Sequence, residues 1–417
     1  MSDLQKSFLK AKLSQLPPDP PMPPGHELDE DEDETDQLSG LPSEQEDDSS
    51  SASSASSASS AGTIKPRPTR NLFARPQGFV SPLALEQLPW TDFFAEEVCL
   101  ETSNDSEKVT HHAYLTPPSK SGPLFVTHHG AGSSGLSFAV LASEIRKLLP
   151  EAGILSLDAR GHGSTVVESI SSNTTSGDNP SPDLHLEILS QDLLDVVQLT
   201  KEKMQWTELP PVLLVGHSLG GAVVTDVAKQ GKLGDKVLGY AVLDVVEGSA
   251  IDALKSMHTY LSTRPSGFAT LAAGIQWHTR SRTIRDPISA RVSVPALLRQ
   301  DLSASSPNRA WVWRTDLAAT QPFWEGWFVG LSKKFLEARG GKLLLLAGTD
   351  RLDTELTIGQ MQGKYQLQVF PDAGHFIQED LPARTAQILV DFYHRNDRSA
   401  LVLPPKVGDL LKKQGKV

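Results

Sequence analysis

Apolar positions along this chain come in short unbroken runs, separated by stretches in which they recur every three or four residues. The runs "LFVTHH" (124–129), "GILSLD" (153–158), "PVLLVG" (211–216), "VLGYAVLDVV" (237–246), "KLLLLAG" (342–348) and "YQLQVF" (365–370) each predict a strand. Unbroken rather than alternating hydrophobicity means that both faces of such a strand are covered. Helical spacing predicts helices over 137–149, 184–204, 219–230 and 382–396, and a strand pair over about 96–115 precedes the series. Strands that alternate with helices imply an α/β architecture, a mostly parallel sheet flanked by helices. From about 247 to 340 the pattern is irregular and partly helical, which marks this stretch as a helical cap inserted in the sheet order.

Composition changes the picture at the two ends. Residues 1–75 hold a proline cluster ("PPDPPMPP"), an acidic run ("ELDEDEDETD") and a Ser/Ala tract ("SSSASSASSASSAG"). Such a segment buries too little apolar surface to offset chain entropy and is expected to be a disordered tail. The ordered domain is expected over 76–396, and 397–417, with Lys406, Lys412, Lys413 and Lys416, reads as a flexible basic tail. Of the net charge of −12, residues 1–62 carry −11, so the remainder is almost neutral. It lacks the clustered excess of Lys and Arg that neutralising phosphates requires, which argues against a nucleic-acid partner.

A single cysteine, Cys99, and no basic-then-apolar leader point to a reducing intracellular compartment, the cytoplasm with the nucleus as a further option. No apolar run approaches the roughly 18 residues that would cross a bilayer, so no membrane association is expected.

The first glycine loop, "HHGAGSSG" (128–135), admits two readings. Gly130-Ala131-Gly132-Ser133-Ser134-Gly135 is a literal G-x-G-x-x-G between a strand and a helix, and Asp158 ends the next strand 23 residues beyond Gly135, where a dinucleotide fold places its ribose-binding acid. The same residues fit the His-Gly-x-Gly loop of an α/β-hydrolase, whose backbone N–H points at a developing oxyanion. A second corner favours the hydrolase.

That corner is Gly216-His217-Ser218-Leu219-Gly220, a G-x-S-x-G after an apolar strand and before a helix. A turn this tight leaves no room for a Cβ at its glycines, and it lifts Ser218 above the sheet edge as a nucleophile. The Leu219 N–H, at the helix N-terminus, and the Ala131 N–H are the expected oxyanion donors. Serine at this position favours ester chemistry over that of relatives with an aspartate nucleophile.

A serine hydroxyl needs a general base, and His375 in "VFPDAGHFIQED", between the last strand and the last helix, is the candidate. His128, His129, His162 and His217 occupy positions better explained by pocket shape or packing. The chain order nucleophile, acid, histidine allows two acids: Asp244 at the end of "VLGYAVLD" and Asp350 after "KLLLLAGTD". Spacing alone favours Asp350. No metal-ligand spacing appears, and no cofactor is implied.

The blocks "LLVGHSLGGA", "LDVVEGSAIDAL" (243–254), "FWEGWFVGLS" (323–332) and "KLLLLAGTDRLDTELTIGQMQGKYQLQVFPDAGH" (342–375) resemble those of the protein phosphatase methylesterase family, from roughly residue 78 to 396. The resemblance implies an α/β-hydrolase fold and, as triad acid, Asp244 rather than Asp350. It implies hydrolysis of the methyl ester on the C-terminal leucine of the catalytic subunit of type 2A protein phosphatase, releasing methanol, with that subunit or its holoenzyme as protein substrate. In one respect the chain departs from animal members, which carry a long acidic insertion in the cap: "VSVPALLRQDLSASSPNRA" (292–310) is short and nearly neutral. A small-molecule serine carboxylesterase or lipase, or a non-catalytic phosphatase-binding relative, fits the same pattern. Five of the seven tryptophans, Trp277, Trp311, Trp313, Trp324 and Trp327, fall in the cap, where core positions are expected over groove positions.

Overall fold

The computed structural model describes residues 85–170, 182–302, 307–348 and 352–397. The tail predicted over 1–75, all but the first residue of the one predicted over 397–417, and Asp350 lie outside them.

Two antiparallel strands, β1 (Glu96–Ser103) and β2 (Glu107–Thr116), lead the described chain. There follow β3 (Leu124–His128), a 3₁₀ turn (Gly135–Phe138), α1 (Ala139–Leu148), β4 (Gly153–Asp158), β5 (Val166–Ser169), α2 (Leu186–Lys203), β6 (Val212–His217), α3 (Leu219–Gln230) and β7 (Val237–Leu243). The stretch read as a cap then contributes α4 (Glu247–Thr263), α5 (Leu271–Arg280), α6 (Pro287–Leu297), the short antiparallel pair β8 (Leu298–Gln300) and β9 (Trp311–Trp313), α7 (Trp324–Phe328) and α8 (Leu331–Glu337). The chain returns to the sheet with β10 (Gly341–Leu346), α9 (Thr354–Met361), β11 (Gln366–Val369), α10 (Ile377–Asp380) and α11 (Pro382–Asn396).

The main sheet runs β1-β2-β4-β3-β6-β7-β10-β11, with β5 paired onto β2. From β4 to β11 every neighbour is parallel; the antiparallel pairs all involve β2. Every residue of β3, β4 and β6 is buried, as an unbroken apolar run requires. Along β6 the faces alternate: Val212 and Leu214 pack with α2, α3, α7 and α8, whereas Leu213 and Val215 pack with α1 and α11. A separate small core, Phe268, Ile275, Ile284, Val294 and Leu298, holds α5, α6 and β8 together. No helix among the described residues is long and apolar enough to cross a membrane.

Three strands escape the sequence reading. β5 is largely exposed, β8 is exposed in two of its three residues, and β9 is only half-buried, so none shows the apolar run that marks the others. The strand read over 237–246 stops at Leu243, because Asp244 turns out of the sheet with φ of 52°.

At the end of β6 the chain passes into α3 through Ser218, which has φ 52° and ψ −118°, a conformation costly for any residue with a side chain. The corner closes because its glycines touch backbone directly. A Cβ on Gly216 would lie 2.0 Å from the Gly220 carbonyl oxygen, and one on Gly220 would lie 2.0 Å from that of His128 in β3. Gly231, which ends α3 at φ 67°, has nothing within 4 Å of such an atom. Gly231→Ala is therefore expected to cost about 1 kcal/mol of backbone strain. Gly220→Ala should cost several-fold more or prevent folding, and urea denaturation of the two variants checks the order.

Candidate active site

The corner delivers Ser218 to the carboxyl ends of the central strands, where open α/β sheets place their sites. Its amide donates to the Leu243 carbonyl at 3.0 Å, tying the turn to β7. One strand further on, the Asp244 amide donates to the Leu345 carbonyl of β10 at 2.8 Å. The buried Asp244 carboxylate accepts the Ala347 N–H at Oδ1 and the His375 Nδ1–H at Oδ2, both at 2.8 Å. With Nδ1 committed as donor, Nε2 of a neutral His375 ring is an acceptor. The imidazole is 45% exposed while the carboxylate beneath it is fully covered, so the pair has one end anchored and one end open.

Ser218, Asp244 and His375 line one cavity of about 800 Å³. No hydrogen bond joins the Ser218 hydroxyl to His375 among the described residues.

Ala131 and Leu219 line the same cavity, and neither amide has a hydrogen-bond partner among the described residues. The loop around Ala131 is held by histidines. His129 donates from Nδ1 to the Gly130 carbonyl at 2.7 Å and accepts the Ala159 N–H at Nε2 at 3.0 Å. His162 accepts the Gly132 N–H at 2.9 Å and donates to the Arg160 carbonyl at 3.0 Å. The amide of Ser133 is taken by the Gly130 carbonyl. The Gly130 carbonyl and the Gly132 N–H on either side of Ala131 are thus occupied, while the Ala131 N–H has no partner among the described residues.

Each of these rings must stay neutral to both give and take a hydrogen bond. Burial keeps it so, lowering His162, holding His129 well below the usual histidine range and pushing His128 down to about 4. His217 is driven to about 3, first by burial and then by the neighbouring His375, while its Nε2–H donates to the His375 carbonyl at 2.8 Å. The residues read as packing histidines are buried and brace the glycine loop and the backbone of His375.

The dinucleotide reading of the same loop is corrected. Asp158 is buried, and its carboxylate accepts the Gly135 N–H at 2.7 Å, the Ser164 N–H at 2.9 Å and the His112 ring at 2.8 Å. A carboxylate occupied in this way inside the protein cannot grip a ribose. Although burial pulls His112 down, hydrogen bonds to Asp158 and Glu97 more than offset it, and its pKa is raised.

The cap tryptophans divide. Trp324 and Trp327 are buried, donating their indole N–H to Thr320 Oγ1 and to the Leu184 carbonyl, each at 2.7 Å, and both also line the cavity. Trp277 and Trp313 are half-buried and line it too. The core reading holds for Trp324 and Trp327, and Trp277 and Trp313 pack against the small core of the cap; all four are cavity wall as well. Two lining residues carried no signal in the sequence: Arg264 at the end of α4, and Glu379, whose buried carboxyl accepts the Ser293 hydroxyl at 2.5 Å.

A model of the alpha/beta hydrolase family matches residues 124–388. Protein phosphatase methylesterase 1 of Gibberella zeae is 69% identical to the chain over 355 residues, covering 85% of it and 86% of the relative. The proteins of that name from Aspergillus oryzae and Schizosaccharomyces pombe are 61% and 44% identical, covering 98% and 76% of the chain and 93% and 88% of their own lengths. The chain belongs to the protein phosphatase methylesterase family of α/β hydrolases. It is accordingly a carboxylic ester hydrolase. A crystal structure of E-2-(acetamidomethylene)succinate hydrolase superposes with a TM-score of 0.53 at 17% identity, covering 72% of this chain and all of that one, a likeness of fold alone.

The depressed histidines give this methylesterase-family chain an acid-sensitive fold. A ring with a folded pKa near 3 and an ordinary unfolded value near 6.5 stabilises the folded state fully above pH 6.5, and that contribution is lost as pH falls toward 3. For His217 the loss between pH 7 and pH 5 is about 2 kcal/mol. His217→Gln should flatten the fall in unfolding free energy over that interval by about this amount; parallel profiles in urea titrations would contradict it.

Proposed function

We propose that the chain removes a methyl ester from the C-terminal leucine of the catalytic subunit of type 2A protein phosphatase, releasing methanol. The name shared by relatives of such high identity and coverage supports the substrate. The observation that carries the chemistry is the hydrogen bond from His375 to the covered carboxylate of Asp244, beside the raised Ser218. Ser218 attacks the ester carbonyl as His375 Nε2 takes its proton. Asp244, held by the Ala347 N–H, orients the imidazole and stabilises the imidazolium. The Ala131 and Leu219 N–H groups receive the oxyanion, each worth about 3 kcal/mol of barrier.

His375 then returns the proton to the departing methoxide, giving methanol and an acyl-enzyme. A water molecule deprotonated by the same ring attacks the acyl carbon, and the tetrahedral species collapses to the free leucine carboxylate as His375 returns that proton to the departing Ser218 oxygen. A methoxide is a poor leaving group, so protonation by His375 as the C–O bond breaks is the step that most needs the ring to stay in place.

Methanol release from carboxymethylated phosphatase catalytic subunit tests this reading. Ser218→Ala should lower turnover by about 10⁴-fold or more, and Asp244→Asn by about 10³- to 10⁴-fold. Asp350→Asn should lose far less than Asp244→Asn. A Ser218→Ala chain that still released methanol near the native rate would sink the nucleophile, and the reverse order of the two aspartates would move the acid to Asp350.

A further inference from the structure

The wall of the catalytic cavity carries a cation that the ester chemistry does not use. Arg264 caps the C-terminal end of α4, half-buried, with its guanidinium carbon 3.8 Å from the centroid of the Trp313 ring. The Trp313 indole N–H donates to the carbonyl of the next residue, Pro265, at 2.7 Å, which locks ring and backbone together. Around Trp313 stand Phe268, Trp277 and His278, with ring centroids 5.5, 6.1 and 5.6 Å away. Arg264, Tyr260, Trp277, His278 and Trp313 line the same cavity as Ser218 and His375.

Among the described residues the charge of Arg264 has no carboxylate to answer it. Among the described residues no ion pair or side-chain hydrogen bond engages its guanidinium. Burial lowers its pKa, and the one group that raises it is the phenol of Tyr260. His278 does not help: burial, aided by Arg264 itself, pushes that ring down to about 4, and its Nδ1–H is spent on the Gly274 carbonyl at 2.9 Å. Stacking on an indole attracts a guanidinium from one face but leaves its in-plane N–H donors unsatisfied. Two lie side by side in the geometry that grips a carboxylate with parallel hydrogen bonds. A cavity of about 800 Å³ also holds much more than one leucine methyl ester.

We propose that Arg264 is a specificity-determining residue that anchors a carboxylate side chain, Asp or Glu, carried by the substrate polypeptide a few residues before the reacting ester. This rests on the methylesterase reading above and adds to it an acidic residue that the substrate must present. The Trp313 face fixes the plane of the guanidinium before the substrate arrives, so little ordering remains to be done on binding.

The experiment uses the full chain and peptides ending in leucine methyl ester, with Asp or Asn placed in turn at each of the four positions before the leucine. The quantity read is the Asp/Asn ratio of kcat/KM within each enzyme, which cancels any general loss of activity. At one position the native chain should favour Asp about ten-fold or more, as a charge-assisted bidentate contact allows. Arg264→Gln should bring that ratio down to about one, and Arg264→Lys, which keeps the charge without the fork, to an intermediate value. No preference at any position, or a preference that survives Arg264→Gln, overturns the proposal.

Should no peptide methyl ester be turned over, methanol release from the carboxymethylated phosphatase catalytic subunit decides separately whether the methylesterase reading has failed. The ratio of p-nitrophenyl hemiglutarate to p-nitrophenyl valerate hydrolysis then decides the role of Arg264. Loss of an anion preference in Arg264→Gln upholds it, and its absence in the native chain overturns it.

Discussion

The approach of α3 to the backbone of β3 and β6 is the constraint on which the rest of the site depends. With hydrogens alone at Gly216 and Gly220, the helix comes near enough for added Cβ atoms to meet carbonyl oxygens at 2.0 Å. Nothing larger fits. The closeness forces the intervening residue to φ 52°, and strain of this kind persists only where surrounding contacts over-determine it. Three consequences come from one corner: the serine is raised over the strand ends, α3 begins at Leu219 on the cavity wall, and the glycine loop after β3 passes against the Ser218 side chain. A Cβ on Gly130 would meet Ser218 Cβ at 3.0 Å, so the loop bearing Ala131 also fits closely against the corner, though less tightly than the corner's own glycines.

Electrostatics finishes what packing begins. Around the corner lie His128, His129, His162 and His217, and burial keeps all four below the ordinary histidine range, so they act as neutral hydrogen-bonding groups. Were they cations, they would repel His375 when it takes up a proton. Glu379, four residues beyond His375, obeys the same logic with opposite sign: burial first, and then the nearby Asp380 and Asp286, raise its pKa well above the carboxylate range, although Ser293 bonds to it. His112 and Asp158 form the exception, a close pair outside the cavity lining, where Asp158 also holds the segment after β3 by the Gly135 amide and the loop after β4 by the Ser164 amide.

What could be read from the sequence followed from how strongly each element is buried. Five apolar runs marked β3, β4, β6, β7 and β10, because a parallel strand covered on both faces has few polar positions to interrupt it; β11, half-buried at the sheet edge, showed instead as apolar residues alternating with Gln366 and Gln368. β5, β8 and β9 have half-wet faces and left no such mark. In the cap, α4 buries none of its residues fully and α6 carries Pro295 inside it, so neither shows a clean helical stripe. Ser218 and His375 could be found from local wording, since a tight corner and a loop before the last helix need particular residues. Asp244 could not be chosen over Asp350 by spacing, because an acid after either strand satisfies the order nucleophile, acid, histidine, and β7 and β10 are themselves neighbours. What the structure adds at Asp244, an Ala347 N–H on one carboxylate oxygen and His375 on the other, is contact between segments more than a hundred residues apart in the chain.

The same reasoning explains why Arg264 went unread. Chemistry in this fold is carried by the strand ends, whose positions repeat from member to member of the architecture, and short motifs suffice to mark them. Selection of a substrate is left to the stretch between β7 and β10, where Arg264, Trp277 and Trp313 come from three separate elements and meet only after the cap has folded. Ester hydrolysis requires only a nucleophile, a base and two amides, all within a few ångströms of the carbonyl. Those groups alone would treat any accessible ester alike. A walled cavity much wider than the scissile bond, with a cation fixed on its wall by an aromatic ring, adds contacts remote from the reaction. Remote contacts of that kind are how binding energy is turned into discrimination between substrates with identical reacting groups.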